Sequence, residues 1–193
     1  MGKWILGGLT VLLLIMGIGS YNGLVSKNEG VSSQWANVEN VYQRRSDLIP
    51  NLVSTAKGYA AHENETFVAV TNARAKVGQM NIDAKNLTPG MLQQFQAVQG
   101  ELSSALSRLM VVVEKYPELK ASTLFQDLMV QLEGTENRIA VERKRFNDVS
   151  RSYNTSIKSF PTVVIASLFG FESRPYFLAE EGAKSAPKVD FSK

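Results

Sequence analysis

Twenty-three consecutive residues, Trp4 to Ser26, contain no Asp, Glu, Lys, Arg or His. As a helix rising about 1.5 Å per residue they reach roughly 34 Å, enough to cross a hydrocarbon core of about 30 Å. The segment predicts a membrane-spanning helix. Met1-Gly2-Lys3 ahead of it would also suit a cleaved secretory signal. Against that, the apolar core from Trp4 to Ile18 is as long as a signal core gets, uncharged residues continue to Ser26, and no A-x-A-like cleavage site follows. A retained anchor is the preferred reading, with a cleaved signal as its rival. Lipid anchors are excluded on two counts, since the chain has no Cys and Leu6 stands where myristoylation needs Ser or Thr.

The remainder, about 165 residues, fits one domain able to bury a real core. Lys and Arg total 21 against 18 Asp and Glu, interspersed along the chain, so the net charge of +3 marks no nucleic-acid surface. Without Cys there are no disulfides, no thiol catalysis and no cysteine metal site.

Apolar spacing in the soluble part is helical throughout. Leu92, Phe95, Gln99, Leu102, Leu106, Leu109, Val113 and Tyr116 repeat in strict 3,4 steps (helix B), opened by Thr88-Pro89 and stopped by Pro117. Phe125, Leu128, Leu132, Thr135, Ile139, Glu142, Phe146, Val149 and Tyr153 form a second seam (helix C) that ends before Pro161. Upstream, Val31, Trp35, Val38, Tyr42, Arg45, Ile49, Leu52 and Ala56 continue in the same phase through Tyr59 and Glu63 to Val77 (helix A). Because the phase survives Pro50, a kinked continuous helix is preferred to a break there. No alternating segment of strand length is present. The expected fold is all-α, an N-terminal transmembrane helix continuing into an antiparallel bundle of three long helices with coiled-coil spacing, plus a short C-terminal helix. Residues 1–28 are the anchor, 29–171 the bundle and 172–193 an extended tail. Helix A, about 47 residues, would outrun helices B and C of about 28 and 38. Its surplus stripe needs a partner: a fourth helix over 162–170, a membrane surface or another copy of the chain.

The run Arg44-Arg45-Ser46-Asp47-Leu48-Ile49-Pro50-Asn51-Leu52-Val53 resembles the hallmark of the LemA family. Tyr21-Asn22-Gly23-Leu24-Val25, Tyr116-Pro117-Glu118-Leu119-Lys120-Ala121 and Glu136-Asn137-Arg138-Ile139, followed by Arg143, Asn147 and Tyr153-Asn154, agree in order over residues 20–170. The resemblance implies a bacterial membrane protein with one N-terminal span and a bundle usually described as four helices. It implies no established enzymatic activity, and it suggests a membrane-protein partner such as a peptidase. It also places the domain in the cytoplasm, whereas Lys3 argues for the opposite orientation, so the topology stays open.

No nucleophilic triad, metalloprotease signature or phosphate-binding loop occurs. The single His, His62, belongs to no Glu-x-x-His pair of the kind helical di-iron sites use. No catalytic, cofactor or metal site is therefore predicted. The polar positions carried by the resemblance are Arg44, Arg45, Asp47, Pro50, Asn51, Glu136, Asn137, Arg143, Asn147, Tyr153 and Asn154. Arg45 and Glu142 fall on apolar seams, which predicts a buried ion pair that fixes helix register, with Asp47 or Glu136 completing its hydrogen bonds. Gly19 and Gly23 form a G-x-x-x-G match suited to self-association of the span. Residues 160–171 carry no charge and are open to three readings, a cap on the bundle, an interfacial segment or a docking element, with Tyr176, Phe177 and Phe191 suited to docking. The functional expectation is a non-enzymatic, membrane-anchored scaffold in the bacterial inner membrane that forms a homo-oligomer. The alternative is a monomeric adaptor for a membrane enzyme.

Overall fold

The computed structural model describes residues 2–178, and these are helical apart from short links and the last eight residues, with no strand among them. The first helix, α1 (Gly2–Lys57), runs without interruption from the apolar segment into the bundle. It is followed by α2 (Asn64–Gly78), a single 3-10 turn (Ala84–Asn86), α3 (Pro89–Val113), α4 (Pro117–Lys120), α5 (Thr123–Lys158) and α6 (Thr162–Leu168). The long helix α5 packs along α1, α2 packs on α3 and on the end of α1, and α6 touches α1 and α5. The antiparallel all-α bundle expected from the 3,4 seams is therefore the fold.

Sequence signals account for most of the boundaries. Thr88 accepts a hydrogen bond from the Met91 backbone N–H at 3.2 Å, with Pro89 in the first turn, which starts α3 as expected. Ser122 caps α5 in the same way through the Phe125 N–H.

Helix A departs from expectation between Gly58 and Glu63. The stripe continues in phase there, yet the backbone turns and α2 folds back beside α1. Length matching explains this. A helix continuing to Val77 would outrun α3 and α5 and leave Phe67, Val70 and Ala73 in water, whereas the turn buries all three. Gly58 is a cheap place to stop, since glycine costs about 1 kcal/mol in a helix interior. The surplus stripe thus finds its partner within the same chain, and the bundle has four principal helices.

Pro50 does not break α1, and the reason lies in α2. Proline has no N–H to give the carbonyl four residues back, here that of Ser46. That oxygen instead accepts a hydrogen bond from Arg74 Nε at 3.0 Å, across the α1–α2 hairpin. The guanidinium replaces the missing backbone donor, and Ser46 itself is buried. Arg74→Met should therefore destabilise the protein by about 1 kcal/mol, and by almost nothing in a Pro50→Ala background, where the restored N–H satisfies Ser46. Thermal unfolding of the four proteins of that cycle measures the coupling.

The core has two parts. One, at the far end, gathers Ile49, Leu52, Phe67, Val70, Leu102, Leu109, Leu119 and Phe125. The other, nearer the apolar segment, gathers Leu24, Val31, Trp35, Tyr42, Phe95, Phe146, Tyr153 and Phe177. Leu24 lies in the last turn of the charge-free run, so bundle packing begins before that run ends.

Candidate functional site

Between the two cores lies a polar layer centred on Arg45. Its side chain is 2% exposed, and an arginine stays charged at that depth, so its donors call for partners; both terminal nitrogens find them, while the buried Nε has none. One terminal nitrogen donates to Glu136 Oε1 at 2.5 Å and to Ser103 Oγ at 3.1 Å, and the other donates to Gln99 Oε1. The Tyr42 ring lies against the guanidinium at 5.1 Å. Burial pushes the Tyr42 phenol above its usual range, and the nearby Arg143 and Arg45 cations draw it partly back. The layer links α1, α3 and α5 through one planar cation.

The carboxylate partner is Glu136, not Glu142. Lys27 Nζ donates to Ser156 Oγ at 2.5 Å, and together with the Arg45–Glu136 pair this sets the antiparallel register of α1 and α5. In that register Glu142 lies six residues, about 9 Å, nearer the apolar segment than Arg45 requires. It accepts instead from Gln34 Nε2 at 2.6 Å and Arg145 at 2.7 Å. Asp47 is exposed and accepts from Gln43 at 2.8 Å. Arg44, Asn51 and Asn137 are exposed and lie outside the Arg45 layer, while the Asn51 carbonyl accepts from Thr55 Oγ1 at 2.9 Å.

The remaining family positions on α5 meet the segment after α6. Asn154 Nδ2 donates to the Arg174 carbonyl and Asn154 Oδ1 accepts from the Arg174 N–H, both at 2.8 Å. Asn147 repeats the pairing on Phe177, at 3.0 Å to the carbonyl and 2.8 Å from the N–H. Each side-chain amide thus binds both polar groups of one peptide residue, as a neighbouring strand would. The two spacings agree: seven helical residues rise about 10.5 Å, and three extended residues cover about 10 Å. Residues 171–178 form a strap along α5.

Two anchors fix this strap. The Phe177 ring stacks on Trp35 at 6.0 Å and meets Phe146 edge-on at 5.4 Å and Phe95 at 6.5 Å, with the Arg143 guanidinium 4.9 Å above it. Arg174 donates twice to Asn28 Oδ1, at 3.0 and 2.8 Å, and to the Ala84 and Lys85 carbonyls at 3.2 and 2.5 Å. Docking of Phe177 into a neighbouring subunit, one of the readings for this region, gives way to packing inside its own chain. Tyr176 Oη is hydrogen-bonded to Asn154 Nδ2 at 2.9 Å, and Phe191 lies outside the described residues. Sequence reasoning missed Arg74 and Arg174. For Arg74 a signal existed in the carbonyl that Pro50 orphans. Arg174 sits in an aperiodic segment that offers no comparable cue.

Gly19 and Gly23 lie on α1 where a Cβ would meet no atom within 4 Å, so this face is bare in the single chain. The apolar part of α1 is long enough to cross a membrane, and no residue of it before Leu24 is buried by the rest of the described chain. The polar clusters themselves are structural in their chemistry: cations and amides hold backbone and side-chain acceptors.

Residues 34–191 match the profile of the LemA family. Magnetosome protein MamQ of Magnetospirillum gryphiswaldense is 29% identical over 174 residues, covering 81% of this chain and 64% of its own length. Magnetosome protein MamQ 2 of Paramagnetospirillum magneticum is 29% identical over 186 residues, covering 88% and 68%. Protein LemA of Metamycoplasma hominis is 26% identical over 165 residues, covering 85% and 71%. The chain thus spans a little under two thirds of the first MamQ. None of these names denotes a reaction. With a profile match over residues 34–191, most of its length, the chain belongs to the LemA family.

Proposed function

We propose that the protein is a non-enzymatic scaffold of the bacterial inner membrane, crossing it once and self-associating through its span. The observation that carries this reading is the continuity of α1, which joins the apolar segment to the bundle core without a linker. A bundle attached in this way cannot swivel freely, so the span's glycine face and the bundle's outer face keep a fixed relation. The bare Gly19 and Gly23 surface would let two spans approach closely. The surplus stripe of helix A is covered within the chain by the packing of α2 on α3 and α1, which leaves the span face for the association.

Light-scattering mass of the full chain in mild detergent tests the proposal. A protein mass that is a multiple of 21.3 kDa, falling to the monomer for Gly19→Leu with Gly23→Leu, is the expected result. A wild-type monomer at high protein concentration would favour the second reading, an adaptor for a membrane enzyme such as a peptidase. One feature supports that alternative: an apolar groove at the far end, lined by Met110, Val113, Phe125, Met129 and Val130.

A further inference from the structure

We propose that α6 is a second membrane contact, lying among lipid acyl chains beside the bundle-proximal half of the span. The inference rests on the reading of α1 as a membrane helix. Residues 160–171 are free of charge, with Lys158 before them and Glu172 after them. Twelve residues are too few to cross a bilayer, but they suffice to embed within one leaflet.

The fold puts this segment at membrane depth. Lys27 is the first charge after the apolar run, and its hydrogen bond to Ser156 sets the end of α5 at the same height. Beyond that height the chain continues towards the span. Ile165 Cδ1 lies 3.7 Å from where a Gly17 Cβ would stand, and the Phe169 and Phe171 rings meet Tyr21 at 4.8 and 5.7 Å. Gly17 is ten residues before Lys27, about 15 Å along the helix. If Trp4 to Ser26 is in lipid, a helix touching Gly17 and Tyr21 is beside lipid as well.

The faces of α6 agree with that placement. Ala166 is buried against the bundle and Ile165 is half-buried. Phe160, Val164, Leu168 and Phe169 are 84%, 58%, 74% and 57% exposed. In water this would be an apolar patch without a partner, whereas in a bilayer it is solvated by lipid tails. Embedding would hold the bundle at two points and fix its rotation about the span.

The absence of cysteine allows a single fluorophore to be placed at will. Full chains carrying Leu168→Cys, Phe160→Cys, Leu12→Cys or Val130→Cys are labelled with an environment-sensitive dye. They are then reconstituted into phosphatidylcholine–phosphatidylglycerol vesicles with or without acyl-chain spin-labelled lipid. The Leu168 label should lose emission about twofold with spin-labelled lipid, as the Leu12 label in the span does, while the Val130 label at the far end is unchanged. A Leu168 label that ignores the spin label overturns the proposal. So does a blue-shifted, unquenched label, because it would be covered by protein. Loss of quenching at Leu12 would overturn the span itself and α6 embedding with it, which separates the two failures. Should Leu168→Cys lose wild-type helicity, the Phe160 label decides by the same criterion.

Discussion

Arg45→Ala should lower the stability of the bundle by about 3 kcal/mol, a fall in melting temperature of roughly 8 °C for a domain of this size. Three losses combine. The buried aliphatic stem leaves a cavity among Tyr42 and Ile139, buried Gln99 loses its cationic partner, and the tie between α1, α3 and α5 disappears. Glu136 contributes less to the loss, because its side chain is 45% exposed and regains water. Arg45→Lys keeps the charge but lacks the planar fork that reaches Gln99, Ser103 and Glu136 together, so it should fall between wild type and alanine. Lys57→Ala, at an exposed position, should change the melting temperature by less than 2 °C. Circular dichroism melts of the full chain in mild detergent check the order. Equal melting temperatures for Arg45→Ala and Lys57→Ala would remove the polar layer from the explanation of stability.

The second large effect is release of the strap. Phe→Ala at a buried site costs about 3–5 kcal/mol, and Phe177 closes a four-ring cluster. The strap can detach without unfolding the helices, however, so the global melting temperature should record only part of that loss. The direct signs are local. Phe177→Ala should open residues 171–178 to limited proteolysis and shift Trp35 emission to longer wavelength, read in a Trp4→Phe background since the chain has two tryptophans. Asn147→Ala with Asn154→Ala should do the same, because both backbone clamps are lost. Tyr176→Ala, at a residue 40% exposed, should have the smaller effect.

Periodicity made the helices legible because one repeat determined both local structure and burial. Thr88-Pro89 is the simplest case, a cap and a pre-set φ written in adjacent letters. The turn after Lys57 was hidden by that same repeat, whose apolar phase runs on through Tyr59. What stops the helix is the limited length of its partners, a tertiary quantity, with Gly58 reducing the cost. The strap was illegible for the opposite reason. An isolated Phe177 in an aperiodic stretch carries no pattern, and its place depends on two asparagines seven residues apart on α5. The polar layer was half legible: Arg45 on an apolar seam demanded a partner, but choosing Glu136 over Glu142 required the register of α1 against α5.

Hydrogen–deuterium exchange on the full chain in lipid vesicles, followed across residues 20–57, asks whether the span and the bundle are one helix. Protection should continue without a gap from Leu24 through Asn28 and Val31 to Leu52, since each of these amides lies inside α1. A rapidly exchanging break between Ser26 and Val31 would mean that a loose tether joins anchor and bundle, and would contradict the rigid attachment on which the scaffold reading depends.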